Sequence, residues 1–254
     1  MTIHLANLSG MVLVYLLVFA RAGAMIMLLP AIGDAGVPAR VRLSLAIAVS
    51  LVFAPTVAHT YPPAAPQSEV GLALLVGQEV IAGVLIGTMA RIIVSGLSSA
   101  GYLIATQTGL AYAQSVDPTM GEQGAVVGNF ISLLGTVLIF ATNSHHLAIA
   151  SISGSYTLLP PGAALPTSDM AELALKLVSG SFFLGVQLAA PFIVFGFAVN
   201  AATGLLARMM PQLQIFFIAM PVSILFGFLL MMLLLGSMMT AFLSYYTTEM
   251  TRFG

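Results

Sequence analysis

Between residues 213 and 243 the chain carries no charged side chain and is built mainly from Leu, Met, Phe, Ile, Ala and Gly. A helix needs roughly 20 apolar residues to cross about 30 Å of hydrocarbon, and this run is long enough to do so. Five further apolar segments lie at about 11–30, 43–58, 70–94, 125–142 and 173–200. The segments at 43–58 and 125–142 are short, which leaves an interfacial or re-entrant placement open for both. A weaker stretch at 97–113 is interrupted by Gly, Ser and Thr and stays unassigned. The apolar runs are continuous instead of alternating, so a membrane barrel is excluded. With 59% of the 254 residues hydrophobic and 6% charged, the chain cannot cover a water-facing surface. The expectation is a polytopic all-α membrane protein of about six partly broken helices, forming one membrane-embedded unit over 1–254 with no separate soluble domain.

The few charges are informative by position. Arg40 and Arg42 fall between the first two segments, Arg91 ends the third, and Arg208 lies between the fifth and sixth. The loops at 59–69 and 143–172 hold no basic residue. The positive-inside rule then places the Arg-bearing loops in the cytoplasm and both termini outside, with Arg252 as a mild exception. The first basic residue, Arg21, lies inside the first apolar segment, so that segment lacks the positive leader of a signal peptide and is expected to remain as a span. A net charge of −1 offers no electrostatic footprint for nucleic acid. The absence of cysteine excludes disulfides, thiolate metal sites and a cysteine nucleophile.

Two charges sit inside apolar segments, Arg21 and Glu79. An unpaired charge is costly there, so each should meet a partner or a water-filled space. Two isolated charges do not make a proton relay, and a structural pair or a helix–subunit contact is the favoured reading. His145-His146 follows Asn143-Ser144; adjacent helical side chains diverge by about 100°, which favours a capping and interfacial role over metal binding. No nucleophile elbow, zinc motif or phosphate-cradling glycine loop is present, so no catalytic residue, metal or cofactor is assigned. Gly83-x-x-x-Gly87 permits close helix approach. Pro191, Pro211 and Pro221 should kink or break the last two segments. Met209, Met210, Met220, Met231, Met232, Met238 and Met239 crowd the same end, as lipid-facing filler or as a deformable seal. Proline-rich connectors at 61–66 and 159–166 are read as extended, and a helix start is read at Ser168–Glu172.

The stretch Gln107-Thr108-Gly109-Leu110-Ala111-Tyr112-Ala113-Gln114-Ser115-Val116-Asp117-Pro118 is too polar to span and too apolar for a free loop. With the flexible run Thr119-Met120-Gly121-Glu122-Gln123-Gly124 behind it, it reads as a re-entrant or pore-occluding loop. This block, Asn143-Ser144-His145-His146, and the block at 200–216 (NAATGLLARMMPQLQIF) together resemble the FliR/SctT family of type III protein export gate components, in its flagellar form. The resemblance covers essentially the whole chain; Ser144, Gln214 and Ala219-Met220-Pro221 depart from its usual Gly, Asn and Gly-Phe-Pro. It implies one copy assembled with several FliP-type and a few FliQ-type subunits, joined by FlhB and served by FlhA. The assembly would sit largely above the plane of the bacterial inner membrane at the flagellar basal body and pass unfolded flagellar proteins. It also implies a plug loop at about 107–124, carried by Gln107, Gly109, Leu110, Tyr112, Asp117, Pro118, Met120 and Gly121. Arg21, Glu79, Arg208, Pro211 and Gln212 are expected to serve subunit packing or to act as intramembrane charges. The rival readings are a small-solute secondary transporter, which lacks inverted-repeat halves and an ionisable cluster, and a virulence injectisome subunit.

Overall fold

The computed structural model describes residues 5–34, 36–61, 68–111, 125–163, 166–210 and 215–252. Among them are seven α-helices: α1 (Leu5–Leu28), α2 (Ala39–Val57), α3 (Glu69–Gln107), α4 (Ala125–Ala141), α5 (His145–Leu158), α6 (Thr167–Met209) and α7 (Ile215–Thr251), with a 3-10 turn at Ala58–Thr60. Five stretches are long and apolar enough to cross a membrane: Gly10–Leu28, Ala39–Thr60, Glu69–Gln107, Thr167–Met209 and Phe217–Thr251. The bent pair α4–α5 makes a sixth if it is one broken span. The chain is a multi-pass, all-α membrane protein.

Three elements differ from the sequence reading. The helix expected to end near Arg91 continues to Gln107, so the unassigned stretch at 97–113 is largely the second half of α3. Its serines do not break it, because hydroxyls such as Ser99 Oγ donate back to carbonyls one turn earlier. The loop at 143–172 contains α5 for the same reason: Ser151, Ser155 and Thr157 donate to Ala148, Ile152 and Gly154 carbonyls. Pro191 and Pro221 lie inside the continuous helices α6 and α7 instead of ending them. A membrane helix tolerates the one lost backbone bond when neighbouring groups hold the segment in place. The break comes at Thr142–Ser144, where Asn143 takes φ +58° and the chain restarts as α5. α6 begins at Thr167, with Met170 N–H donating to Pro166 C=O at 3.0 Å.

Contacts divide the chain into two compact units. The first comprises Met1–Ile92, Phe140–Leu177 and Tyr246–Gly254. Its core gathers Leu17, Val18, Ala22, Met25 and Ile26 of α1 with Ala82, Ile86, Met89 and Ala90 of α3, all buried. α1 and α3 approach closely because Gly83 and Gly87 present no side chain: a Cβ on Gly83 would meet the Arg21 carbonyl, and one on Gly87 would lie 2.7 Å from Met25 O. The connector after α5 is pinned by Gln78, whose amide donates to Ala163 C=O at 3.1 Å and accepts from Gly162 N–H at 3.2 Å.

The second unit comprises Ile93–Ile139 and Val178–Tyr245. Ile93, Leu97, Ala100 and Ile104 of α3 are buried here, as are Ile131 of α4, Leu188 and Phe192 of α6 and Phe242 of α7. α3 meets α4 where Gly101 faces the backbone of Gly128, and a Ser98–Ser132 hydroxyl pair closes the contact at 2.9 Å. The outward faces of α6 and α7 carry Phe182, Phe183, Phe197, Phe217, Met232 and Leu233, all strongly exposed. That surface suits hydrocarbon or another apolar subunit, not water. The methionines divide accordingly: Met231, Met238 and Met239 are buried, and Met209, Met210 and Met232 are exposed.

Candidate functional site

Two polar constructions stand out, one in each unit. In the first, Arg21 on α1 and Glu79 on α3 are each other's partner. Arg21 Nε donates to Glu79 Oε2 at 2.6 Å and Nη2 to Oε1 at 3.2 Å, a bidentate pair in which neither side chain is more than 2% exposed. The remaining edge of the guanidinium donates to Ser155 Oγ from Nη1 and to Leu159 C=O from Nη2, both at 2.9 Å. Its Cζ sits 3.8 Å from the centre of the Tyr156 ring, an additional cation–π contact. Tyr156 OH pairs with Tyr61 OH at 3.2 Å. Burial pushes the Tyr61 hydroxyl far above the ordinary phenol range, with Tyr156 and Glu79 adding to the shift. That hydroxyl therefore stays protonated. Arg21 thus donates to groups on α1's neighbours within the chain and ties α1 to α3 and to the α5 segment. Ser155, Tyr156 and Tyr61 escaped the sequence reading because they fall in segments taken for connectors; the local signal was the alternation of hydroxyl and apolar residues along 151–158.

In the second unit the block following α3 meets the block closing α6. Thr108 turns the chain: its N–H and Oγ1 both donate to Ile104 C=O at 2.9 Å, and its own carbonyl accepts from Ser223 Oγ of α7 at 3.1 Å. Gly109 follows at φ +80°, a backbone state that L side chains rarely adopt. Gly227 of α7 packs on the Thr108 side chain, and Gly196 of α6 on that of Gln107. Leu110 lines a small recess with Ile104, Val127, Ile224, Phe228 and Met231. Beside this turn opens a cavity of about 360 Å³ lined by Thr106, Gln107, Gly109, Val199, Asn200, Thr203, Gly204, Ala207, Ile215, Ala219, Met220 and Ser223. Its polar groups are neutral amides and hydroxyls. Nothing in that lining is a nucleophile–base pair, and among the described residues no cluster of three His, Cys, Asp or Glu could hold a metal.

Of the residues singled out from sequence, Gln107 and Gly109 line this cavity and Leu110 sits just beyond it. Tyr112, Asp117, Pro118, Met120, Gly121, Pro211 and Gln212 lie outside the described residues. Arg208 is exposed in the last turn of α6, where its charge suits the helix's C-terminal end. His145 stacks on Phe140 with centroids 4.9 Å apart, and its ring lies tilted against that of His146 at 4.2 Å. Arg91 does not end a helix; it lies within α3 and pairs with Asp34 at 2.9 Å.

The cavity brings Gln107 and Gly109, at the start of the 107–118 block, together with Asn200, Thr203, Gly204, Ala207 and Ile215 of the 200–216 block, which is far away in sequence. The family described as "Bacterial export proteins, family 1" matches residues 12–248. The chain belongs to family 1 of the bacterial export proteins. Among its curated relatives, it is 48% identical over 220 residues to the flagellar biosynthetic protein FliR of Caulobacter vibrioides, covering 87% of each chain. It is 32% identical over 212 residues to FliR of Escherichia coli, covering 83% of this chain and 80% of that one. The Yop proteins translocation protein T of Yersinia pestis is 28% identical over 189 residues, covering 72% of each. Both blocks of this export-family chain lie inside the matched range.

Proposed function

We propose that this chain is a core subunit of the flagellar type III protein export gate in the bacterial inner membrane, contributing the loop at about 107–124 as its plug. The observation that carries the reading is similarity at 48% identity across 87% of both chains to a flagellar biosynthetic protein. The flagellar relatives stand above the Yersinia translocation protein at 28%, which favours the flagellum over an injectisome. In this reading the chain assembles with FliP- and FliQ-type subunits and works beside FlhB and FlhA on unfolded flagellar proteins. The exposed apolar faces of α6 and α7 supply the packing surface. The neutral cavity at the root of the loop fits a steric role with no bond chemistry: closure comes from van der Waals contact of the loop and nearby methionines, excluding water and ions.

The turn at Thr108–Gly109 gives the plug a fixed root. Ser223 holds the Thr108 carbonyl, so displacement of the loop by an entering chain pivots beyond that point. A Caulobacter vibrioides strain lacking its own FliR provides the test. Expression of this chain is expected to restore export of flagellar proteins and swimming. Membrane-inserted chain that leaves export at the level of the empty strain contradicts the reading. Rescue of Yersinia translocation alone would transfer it to the injectisome.

A further inference from the structure

We propose that the cavity beside the Thr108–Gly109 turn binds an extended, uncharged stretch of polypeptide by its backbone. The inference deepens the export reading and rests on it for the source of that polypeptide, a chain in transit. The cavity holds about 360 Å³ and takes its walls from the end of α3, from α6 and from the first turns of α7. All of it lies in the second unit. Gln107 and Asn200 supply its two carboxamides, and neither side chain has a hydrogen-bond partner among the described residues. The Gln107 side chain lies against Gly196, where a Cβ would meet its Oε1. Asn200 follows Gly196 on the same face of α6, so the two amides lie within one helical turn, about 5.4 Å. Asn200 is exposed, and the cavity opens outward there.

The other polar groups of the lining are already spent as donors. Thr106 Oγ1 donates to Leu103 C=O at 2.8 Å, Thr203 Oγ1 to Val199 C=O, and Ser223 Oγ to Thr108 C=O at 3.1 Å. What remains on offer is the pair of carboxamides, each with N–H donors and a carbonyl acceptor. No charged side chain lines the cavity, so an ionised ligand such as a phosphate headgroup or a nucleotide would lose hydration without a counter-charge. A purely apolar ligand would dry the cavity and leave both carboxamides unmet. A peptide unit answers both demands: it is neutral and carries one N–H and one C=O, the complement of a carboxamide. An extended chain advances about 3.3 Å per residue, so amides within one helical turn reach peptide units one or two residues apart. Gly204, Ala207 and Ala219 keep the walls low enough for a backbone to approach. The volume lies near the lower end of the range for ligand cavities, about 300–1,000 Å³, which suits a few residues of extended chain and not a folded domain. Main-chain hydrogen bonds give affinity while leaving side chains unread, as a path for many sequences requires.

Binding of a fluorescently labelled peptide of Gly, Ala and Ser to the full-length chain in detergent tests this, beside the same peptide with every backbone nitrogen methylated. The unmodified peptide is expected to bind at least about tenfold more tightly, because methylation removes the donors and keeps the bulk. Gln107→Leu/Asn200→Leu is expected to abolish that difference, and Arg252→Gln to keep it. Should the double variant fail to fold, Asn200→Leu alone, at an exposed position, is expected to bind the unmodified peptide several-fold less well. No binding, equal binding of the two peptides, or an undiminished difference in the carboxamide variants would overturn the proposal. During export, a photo-reactive benzoylphenylalanine placed at Thr203 is expected to capture exported protein; capture of a neighbouring subunit alone would overturn the source. Equal binding of the two peptides by a chain that restores export would defeat this inference alone. Discrimination between them by a chain that restores no export would defeat the export reading, and with it the chain in transit as the source.

Discussion

Arg21 shows how one side chain can organise a membrane unit. Removing one member of a buried ion pair leaves the other charge uncompensated, at a cost of about 3–5 kcal/mol. Arg21→Ala is therefore expected to lower the thermal stability of the detergent-solubilised chain by that order. The Arg21→Met/Glu79→Met double variant, which removes both charges at similar volume, is expected to recover most of the loss. Equal damage from the single and double variants would show that the pair itself is not what matters. Gly83 makes a separate demand at the same contact: Gly83→Leu has no room against the Arg21 carbonyl and must push α1 from α3. The two charges and the glycine pair were legible in the sequence because each breaks an apolar pattern. The rest of the network was not: Ser155 and Tyr156 are ordinary residues until α5 places them beside the guanidinium, and Leu159 contributes only a carbonyl.

At the scale of elements, apolar runs located most of the helices, and errors arose where polar residues were satisfied locally. α3 runs on past Arg91 because its hydroxyls bond to their own helix, and α5 exists for the same reason. Of the kink or break expected at Pro191 and Pro221, the break does not occur, since both prolines sit within continuous helices. The true break uses Asn143 at φ +58°, a state asparagine tolerates better than most residues. Asn143→Val is expected to cost about 1–3 kcal/mol in thermal unfolding and Asn143→Gly almost nothing; equal losses would contradict the backbone argument. Gly109 carries the same constraint at the root of the proposed plug loop, φ +80°. Gly109→Val is expected to disturb the turn held by Ser223, raising proton and ion leak in reconstituted vesicles. Deleting Gly109–Gly121 should raise that leak further, and an unchanged conductance would count against a plug in this segment.

The whole molecule exposes far more apolar surface than a water-soluble chain carries, on helices that include α2, α6 and α7. Lipid can cover some of it, and an assembly of similar subunits can cover the rest. Family membership was legible because the blocks at 107–118 and 200–216 lie in one chain; that Gln107 and Gly109 of the first line a cavity with Asn200, Thr203, Gly204, Ala207 and Ile215 of the second needed the fold. The identity of the subunits on the outer faces was not legible, since Phe and Leu on a helix surface fit lipid and protein alike. The most direct measurement is the mass of the intact particle obtained when this chain is co-expressed with FliP- and FliQ-type subunits, its proposed partners, and released in mild detergent. Native mass spectrometry is expected to show one copy of the chain within a larger hetero-oligomer. A stable monomer or homodimer, formed in the presence of those neighbours and indifferent to them, would contradict the export-gate account.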